Sequence, residues 1–222
     1  MDLNVEKYFA IMGDIVDSRK IEDRDELQKK FVNIINSIND KYSDDIASKF
    51  LITLGDSFQG LLKKSSKVLN IIDEIESSMF PSKLRFGIGI GEIKTSIDIE
   101  YSSLIDGPAY HNARFAIDNI KKVNNKKRDS SYILVKSEYT LLDNLMNSSL
   151  CLCNTIKSNW SEKQRAVIDL IIRDGKTQDE AAIILGIKQP SVNERLKSSN
   201  IDIYREAFES INSAFALYLG EK

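Results

Sequence analysis

Two aspartates are the residues in this sequence whose positions best suit metal chemistry. Asp14 closes the apolar run that starts at Tyr8, and Asp56 belongs to a Gly-Asp pair inside the segment 50–61. Short apolar runs on both sides of such a pair predict a β-hairpin. Two carboxylates held close together repel each other unless a cation lies between them, and hard divalent ions prefer oxygen ligands. The pattern therefore predicts that Asp14 and Asp56 form a Mg²⁺ or Mn²⁺ site.

The same donor pair points to a nucleotide. Magnesium keeps several waters and usually shares its coordination sphere with substrate phosphates. Two aspartates beside small residues that expose the backbone therefore suggest a nucleoside triphosphate as ligand or substrate. The alternative is that each acid simply lies solvated at a strand end or caps a helix, and spacing alone leaves that alternative open.

The elements that would position these aspartates follow from hydrophobic periodicity. Apolar runs predict strands over 8–16, 84–92 and 132–135 and a hairpin over 50–61, whereas helical spacing predicts helices over 24–40 and 106–123. A further helix precedes Pro81, and a short one is predicted over 137–147. The order β-α-β-β-α-β-α-β predicts an α/β sandwich with a mostly antiparallel sheet, related to the ferredoxin-like plan. Glycines at alternate positions of the strand over 84–92 predict close approach of another element or a ligand.

Composition narrows the class of protein. The 222 residues are 42% hydrophobic and 29% charged, with a formal net charge of −2, which is ordinary for a soluble globular protein. No apolar stretch is long enough to span a bilayer, and no signal peptide is recognisable, so a cytoplasmic protein without a membrane partner is expected. Cys151 and Cys153 are too few and too close for a disulfide framework or a zinc site and are interpreted as buried thiols.

The composition changes near residue 154, which predicts a first domain over 1–153 and an all-α domain over 154–222. Ser161 and Thr177 each begin a capping-box pattern, Gly186 marks a turn, and Pro190 suits the first turn of a helix. Two short helices joined through a glycine turn are typical of a helix-turn-helix.

Four blocks resemble class III nucleotide cyclases in order: Asp14-Ile-Val-Asp-Ser, Leu54-Gly-Asp-Ser-Phe, Arg85-Phe-Gly-Ile-Gly-Ile-Gly-Glu and Gly107-Pro-Ala-Tyr-His-Asn-Ala-Arg. The second block is also similar to the turn of GGDEF-type diguanylate cyclases, and nearly the whole chain resembles the SatD family. The resemblance implies a palm-like domain in which Asp14 and Asp56 bind metal and the backbone of Ile15 and Val16 meets the triphosphate. It also implies a homodimer, because class III cyclase sites form between two protomers.

The chain departs from the cyclase pattern at the residues that carry the chemistry. Ile52 replaces the lysine that reads purine, and His111 replaces the asparagine that stabilises the transition state. Arg114 lies one residue closer to the glycine than the cyclases' phosphate-contacting arginine, and Asp106 is the candidate for contact with a base edge. His111 and Arg114 are the catalytic candidates, although His111 equally suits a histidine hydrogen-bonded at a helix start.

The C-terminal part resembles a sigma-factor region 4 helix-turn-helix, with the recognition helix starting near Gln189. Side chains suited to base edges or phosphates follow this start, and the DNA-binding candidates are Lys188, Gln189, Ser191, Asn193, Glu194, Arg195 and Lys197. From Thr155 onward there are 10 basic and 10 acidic residues, so a monomer is expected to bind DNA weakly. A dimer would double the contacts, and the apolar stripe of the last helix (Tyr204 to Leu219) is predicted to be the dimer surface.

The sequence therefore predicts a cytoplasmic regulator in which a metal-dependent, nucleotide-binding cyclase-like domain is coupled to a DNA-binding helix-turn-helix. An active nucleotidyl cyclase or related nucleotidyltransferase is the enzymatic alternative. A degenerate cyclase fold that serves only protein contacts is a further alternative.

Overall fold

A computed structural model of the chain describes residues 6–18, 21, 23–53, 55–63, 67–124 and 132–219. Its centre is a five-stranded sheet made of β1 Tyr8–Ile15, β2 Ile46–Ile52, β3 Ser57–Leu62, β4 Leu84–Gly91 and β5 Ile133–Lys136. The strand order is β2-β3-β1-β4-β5, and β5 pairs parallel with β4 whereas the other pairs are antiparallel. The predicted α/β class and the mostly antiparallel sheet are confirmed.

Nine α-helices are present in the described part of the chain. They are α1 Arg24–Lys41, α2 Val68–Ser78, α3 Pro108–Asn124, α4 Thr140–Ser158, α5 Glu162–Ile168, α6 Gln178–Leu185, α7 Gln189–Ser198, α8 Ile201–Ala214 and α9 Ala216–Leu219. A π-helical segment, Asp169–Arg173, continues α5. No described helix combines the length and apolar character that crossing a membrane requires.

The two faces of the sheet carry separate cores because successive strand residues point to opposite sides. Phe9 and Ile11 of β1 face a large core with helices α1, α2, α4 and α8. Ala10 and Met12 face the other side of the sheet. There they form a second core with Leu61 of β3, and α3 packs over all three residues. Asp14 continues this second set along the strand and therefore lies on the α3 side.

Helix α3 packs directly on the backbone of β4. A β-carbon added to Gly89 would overlap backbone atoms of Ala109 and Ala113, and one added to Gly87 would overlap the carbonyl of Ala113. Only glycine leaves room for this approach, which confirms the close contact predicted from the alternate glycines. The contact fixes how α3 lies along the sheet, and hence which of its residues reach the end of β1.

Helix α4 is longer than the sequence indicated. The short helix predicted over 137–147 is instead a helix of 19 residues that reaches Ser158. The helix continues past residue 147 because Leu150 and Cys153 extend its buried side. The predicted boundary at 153/154 therefore falls inside α4.

The apolar stripe of the last helix does not form a free surface. It is divided between α8 and α9, and Ile211, Phe215 and Tyr218 lie in the large core. The Phe215 ring packs edge-on against Phe9 of β1 with centroids 5.7 Å apart. The prediction that this stripe is a dimer surface was wrong, because helical spacing shows which residues share a face but not what covers that face.

Candidate functional site

Strand register brings Asp14 into line with side chains of both neighbouring strands. Asp14 pairs with Ser57 of β3 on one side and with Arg85 of β4 on the other. All three residues therefore share the α3 face at one end of the sheet. The Asp14 side chain is buried there.

The carboxylate of Asp14 is held by two cations. Arg85 Nε lies 2.6 Å from Oδ1, and Lys121 Nζ of α3 lies 2.6 Å from Oδ2. Both oxygens of the buried carboxylate thus have a charged partner, and these ion pairs offset the desolvation free energy of the carboxylate. Lys121 remains partly exposed, so its ammonium group faces solvent as well as Asp14.

Asp56 immediately precedes β3, where strand pairing sets it opposite Ile15, the residue after Asp14. Its backbone carbonyl accepts the Ile15 N–H at 3.0 Å, which continues the pairing of β1 with β3 beyond the strand. The Ser18 hydroxyl donates to Oδ2, and the Ser57 hydroxyl donates to Oδ1 at 3.2 Å. Gly55, in the left-handed region at φ 64°, makes the turn before it. Leu54, also part of the predicted turn, is outside the described residues.

The N–H groups of Ile15 and Val16 are engaged in the sheet. Val16 donates to the carbonyl of Lys83 at 2.8 Å, and Ile15 donates to that of Asp56. These two donors hold the end of β1 against its neighbours. The predicted contact of this backbone with a triphosphate would therefore have to use other atoms of the segment.

The carboxylate oxygens of Asp14 and Asp56 are ligands of the type that magnesium prefers, but cationic side chains compete with a metal ion for Asp14. Two carboxylates that share the metal with phosphate oxygens are an ordinary magnesium arrangement. Within the described ranges, however, no group of three or more His, Cys, Asp or Glu side chains could hold an ion. Arg85 and Lys121 already occupy both oxygens of Asp14, so a divalent ion would have to exchange with one of them, and Lys121 is the more exposed of the two.

The other candidates lie towards the opposite end of α3. His111 Nε2 is 2.8 Å from Asp106 Oδ1, with both side chains well exposed, and Arg114 is exposed on the same helix. Ten residues separate His111 from Lys121, which is roughly 15 Å along a helix. One chain therefore does not bring Asp106, His111 and Arg114 to Asp14, and they would reach an Asp14 site only from a second chain.

Sequence reasoning missed Lys121 and did not assign Arg85. Arg85 pairs with Asp14, and Glu92 pairs with Lys94. A signal for Lys121 was present, since it follows Ala113 and Ile117 at intervals of four and shares their face of α3. The strand register needed to bring that face to Asp14 was not visible in the pattern.

The predicted helix-turn-helix region forms two short helices around a small core. Both capping boxes are present, at Ser161 and Thr177, and Gly186 ends α6 in the left-handed conformation at φ 63°. Val192 of α7 is buried against α5 and α6. The candidates Lys188, Gln189, Glu194 and Lys197 are exposed, while Ser191, Asn193 and Arg195 are half-buried.

An ionic network around the buried Lys157 connects the sheet domain with these helices. Lys157 of α4 lies 2.6 Å from Asp73 and 2.6 Å from Glu76, both on α2. Arg173 of the π-helical segment lies 3.3 Å from Asp73. Burial alone would lower the pKa of Lys157, but the two carboxylates outweigh it and raise that pKa. A cavity of about 560 Å³ opens beside this network and not at Asp14, with Trp160 in its lining.

Fold and site together define a mixed α/β protein that holds two aspartates at the end of neighbouring strands and carries a helical C-terminal part. The chain belongs to the SatD family, which it matches over residues 8–214. No curated protein sequence matches it.

Several solved structures are similar to it at low identity. The dimeric guanylyl cyclase domain of the RhoGC fusion protein from Blastocladiella emersonii is 14% identical, with 50% of this chain and 73% of that chain covered and a TM-score of 0.39. The adenylyl cyclase CyaB from P. aeruginosa is 15% identical over 63% and 81%, with a TM-score of 0.41. A regulator of polyketide synthase expression from Bifidobacterium adolescentis is 10% identical over 95% and 84%, with a TM-score of 0.29.

Proposed function

We propose that this protein is a regulator in which a cyclase-like domain binds a nucleoside triphosphate with Mg²⁺ or Mn²⁺ and is coupled to a DNA-binding helix-turn-helix. The observation that carries the proposal is the pairing of β1 with β3, which brings the backbone of Asp56 against Ile15, directly after Asp14, at one end of the sheet. Cationic side chains at the same place suit a polyphosphate ligand.

Each residue of the site has a role in this proposal. Asp14 and Asp56 would hold the divalent ion, which when bound supplies positive charge against the phosphates. Arg85 orients Asp14 through its Nε contact, and Lys121 is the cation free to move from Asp14 to a phosphate because it is partly exposed. Asp106, His111 and Arg114 of one chain would contact the nucleotide that is bound at Asp14 and Asp56 of a second chain in a homodimer.

Calorimetric titration of the protein with each nucleoside triphosphate and Mg²⁺ tests the nucleotide half. We expect saturable binding to the wild type that Asp56→Asn weakens about tenfold or more, because one of two metal carboxylates is lost. Asp25→Asn is the control, since Asp25 forms an exposed pair with Lys29 on α1. Absence of both binding heat and thermal stabilisation with every nucleotide would refute this half and favour a fold that serves protein contacts.

Release of pyrophosphate separates a sensor from an enzyme. The residues that stabilise the transition state in cyclases are replaced or displaced in this chain, so nucleotide binding without turnover is expected. Turnover that Asp56→Asn abolishes would establish the nucleotidyl cyclase alternative instead.

Helix α7 supports the DNA half of the proposal. Lys188 and Lys197 are exposed near its two ends, where they suit phosphates, and Gln189 is exposed at its start, where it suits a base edge. Selection of bound fragments from a random DNA pool at low salt, followed by anisotropy titration, provides the test. Lys197→Met should weaken binding to all sequences and reduce the salt dependence, whereas Gln189→Ala should relax sequence preference. Undetectable binding at low salt, with and without nucleotide, would refute it.

A further inference from the structure

Helix α4 exposes an uncharged, leucine-rich side. Its only charged residues, Asp143 and Lys157, are both buried. The outward positions include Leu141, Leu145 and Leu152, whose relative exposures are 76%, 61% and 68%, with Ser148 exposed between them. We call these four residues the leucine face. Exposed leucines without charged neighbours are typical of an interface centre, because solvated helix surfaces carry charged side chains.

The fold itself does not use the leucine face. The opposite side of α4 supplies Met146, Leu150 and Cys153 to the large core. Asp143 is also satisfied inward, since it accepts hydrogen bonds from Ser137 at 2.6 Å and from the Tyr218 hydroxyl at 3.1 Å. Both charges and the inward apolar residues of α4 are therefore accounted for, and the outward leucines remain without a role in the described part of the chain.

The spacing of the leucine face is self-complementary. If two copies of α4 cross antiparallel about a two-fold axis between positions 146 and 147, Leu141 of one copy meets Leu152 of the other. In the same arrangement Leu145 meets Ser148, so a large side chain lies opposite a small one and the helices can approach closely. A two-fold interface requires this reciprocity, in which each residue contacts the one that contacts it.

We propose that the leucine face is the homodimer interface of this protein, formed by antiparallel packing of α4 against α4 of a second copy. A second copy is the occupant because the pattern matches itself and offers no charge to select a different protein. The interface contains none of the residues around Asp14 and none of the DNA-binding candidates. It lies on the face of the sheet opposite α3, so it does not bring Asp106, His111 and Arg114 of one copy to Asp14 of the other, and it stands if neither nucleotide nor DNA binds.

The size of the contact sets its expected strength. A helix of 19 residues is about 28 Å long, so one helix pair buries an area at the small end of stable interfaces. The dimer should therefore dissociate in the micromolar range, and its population should depend on protein concentration.

Analytical ultracentrifugation of the full chain, without nucleotide or DNA, tests the interface. Leu145→Lys should raise the dimer dissociation constant about 100-fold or more, since each dimer loses two buried leucines and gains two like charges. Leu104→Lys is the matched control, because Leu104 is 70% exposed and lies outside α4, in the turn that precedes α3. Circular dichroism would verify that both variants stay folded.

The pairing direction is tested by cross-linking in a Cys151→Ser background. The combination of Leu141→Cys with Leu152→Cys should give covalent dimers with a short bifunctional maleimide, whereas Leu141→Cys alone should not, because the two copies of position 141 lie at opposite ends of the antiparallel pair. A wild type that is monomeric at high micromolar concentration would overturn the proposal. So would a dimer that Leu104→Lys dissociates and Leu145→Lys leaves intact, or efficient cross-linking of Leu141→Cys alone.

Discussion

At the scale of single residues, cationic side chains occupy both oxygens of the Asp14 carboxylate. Arg85 lies against Oδ1 and Lys121 against Oδ2, whereas the Asp56 carboxylate accepts hydrogen bonds from Ser18 and Ser57. Arg85 is the more buried cation and lies directly across from Asp14 in the strand register. Lys121 is held only by a flexible side chain at the exposed rim, so it is the partner that a divalent ion or a phosphate would displace.

Removing the Lys121 charge should therefore strengthen metal binding. Lys121→Met should raise the affinity for Mn²⁺ about tenfold, because one partly exposed ion pair no longer competes for the Asp14 carboxylate. The measurement is electron paramagnetic resonance of free Mn²⁺ during titration. Lys122→Met is the control, since Lys122 is the exposed neighbour on the same helix. Equal Mn²⁺ affinity of Lys121→Met and the wild type would show that Lys121 does not compete with the metal ion for Asp14.

At the scale of elements, the contact between α3 and β4 determines the position of Lys121. Gly89→Ala should destabilise the fold by about 3 kcal/mol or more, because the added methyl group overlaps the backbone of α3. Urea denaturation provides the free energy of unfolding. Gly186→Ala is a suitable comparison, since no atom lies within 4 Å of the added group and only the left-handed conformation is penalised. That cost is about 1 kcal/mol, and equal losses in the two variants would contradict the packing argument.

The helices and strands also show which features of the fold could be predicted from the sequence. The hairpin, the glycine-rich strand and α3 were predicted because each is defined by neighbours in sequence, through alternation, turn residues or helical spacing. The length of α4 and the burial of Phe215 depend on contacts between distant segments, which periodicity does not encode. For the site, the two aspartates were found from local motifs, whereas the pairing of Asp14 with Lys121 required the register of β1 and the placement of α3.

At the scale of the whole molecule, contacts join the two predicted parts. Phe215 returns from the C-terminal helices to pack on Phe9 of the sheet. Lys157 makes a second connection, because it joins the end of α4 to Asp73 and Glu76 of α2. A change at the sheet that shifted α2 would therefore disturb the helices that follow α4, and this is the route that the proposed coupling would use.

Loss of the Lys157 charge tests how strongly the parts are joined. Lys157→Met should cost about 3 kcal/mol of unfolding free energy, because it removes the buried ammonium group that pairs with the half-buried carboxylates of Asp73 and Glu76. Lys49→Met should cost less than about 1 kcal/mol, since Lys49 pairs with Glu100 at the surface. Chemical denaturation monitored by circular dichroism measures both. A Lys157→Met cost as small as that of Lys49→Met would mean that the network does not hold the parts together.

The network also predicts the response of the molecule to acid. Burial by itself would raise the pKa of Asp73, but Lys157 and Arg173 outweigh burial and lower that pKa below its ordinary value of 3.8. A carboxylate with a lowered pKa in the folded state stabilises the fold at pH values above 3.8, and this stabilisation is lost as the pH falls through the lowered value.

Urea midpoints measured from neutral pH to below pH 3.8 should therefore drop steeply at the acid end for the wild type. The drop should be shallower for Asp73→Asn, which lacks the titrating group and starts from a lower midpoint. Asp25→Asn should follow the wild-type curve, because Asp25 pairs with Lys29 only at the surface, and parallel curves for all three proteins would contradict the assignment of acid sensitivity to Asp73.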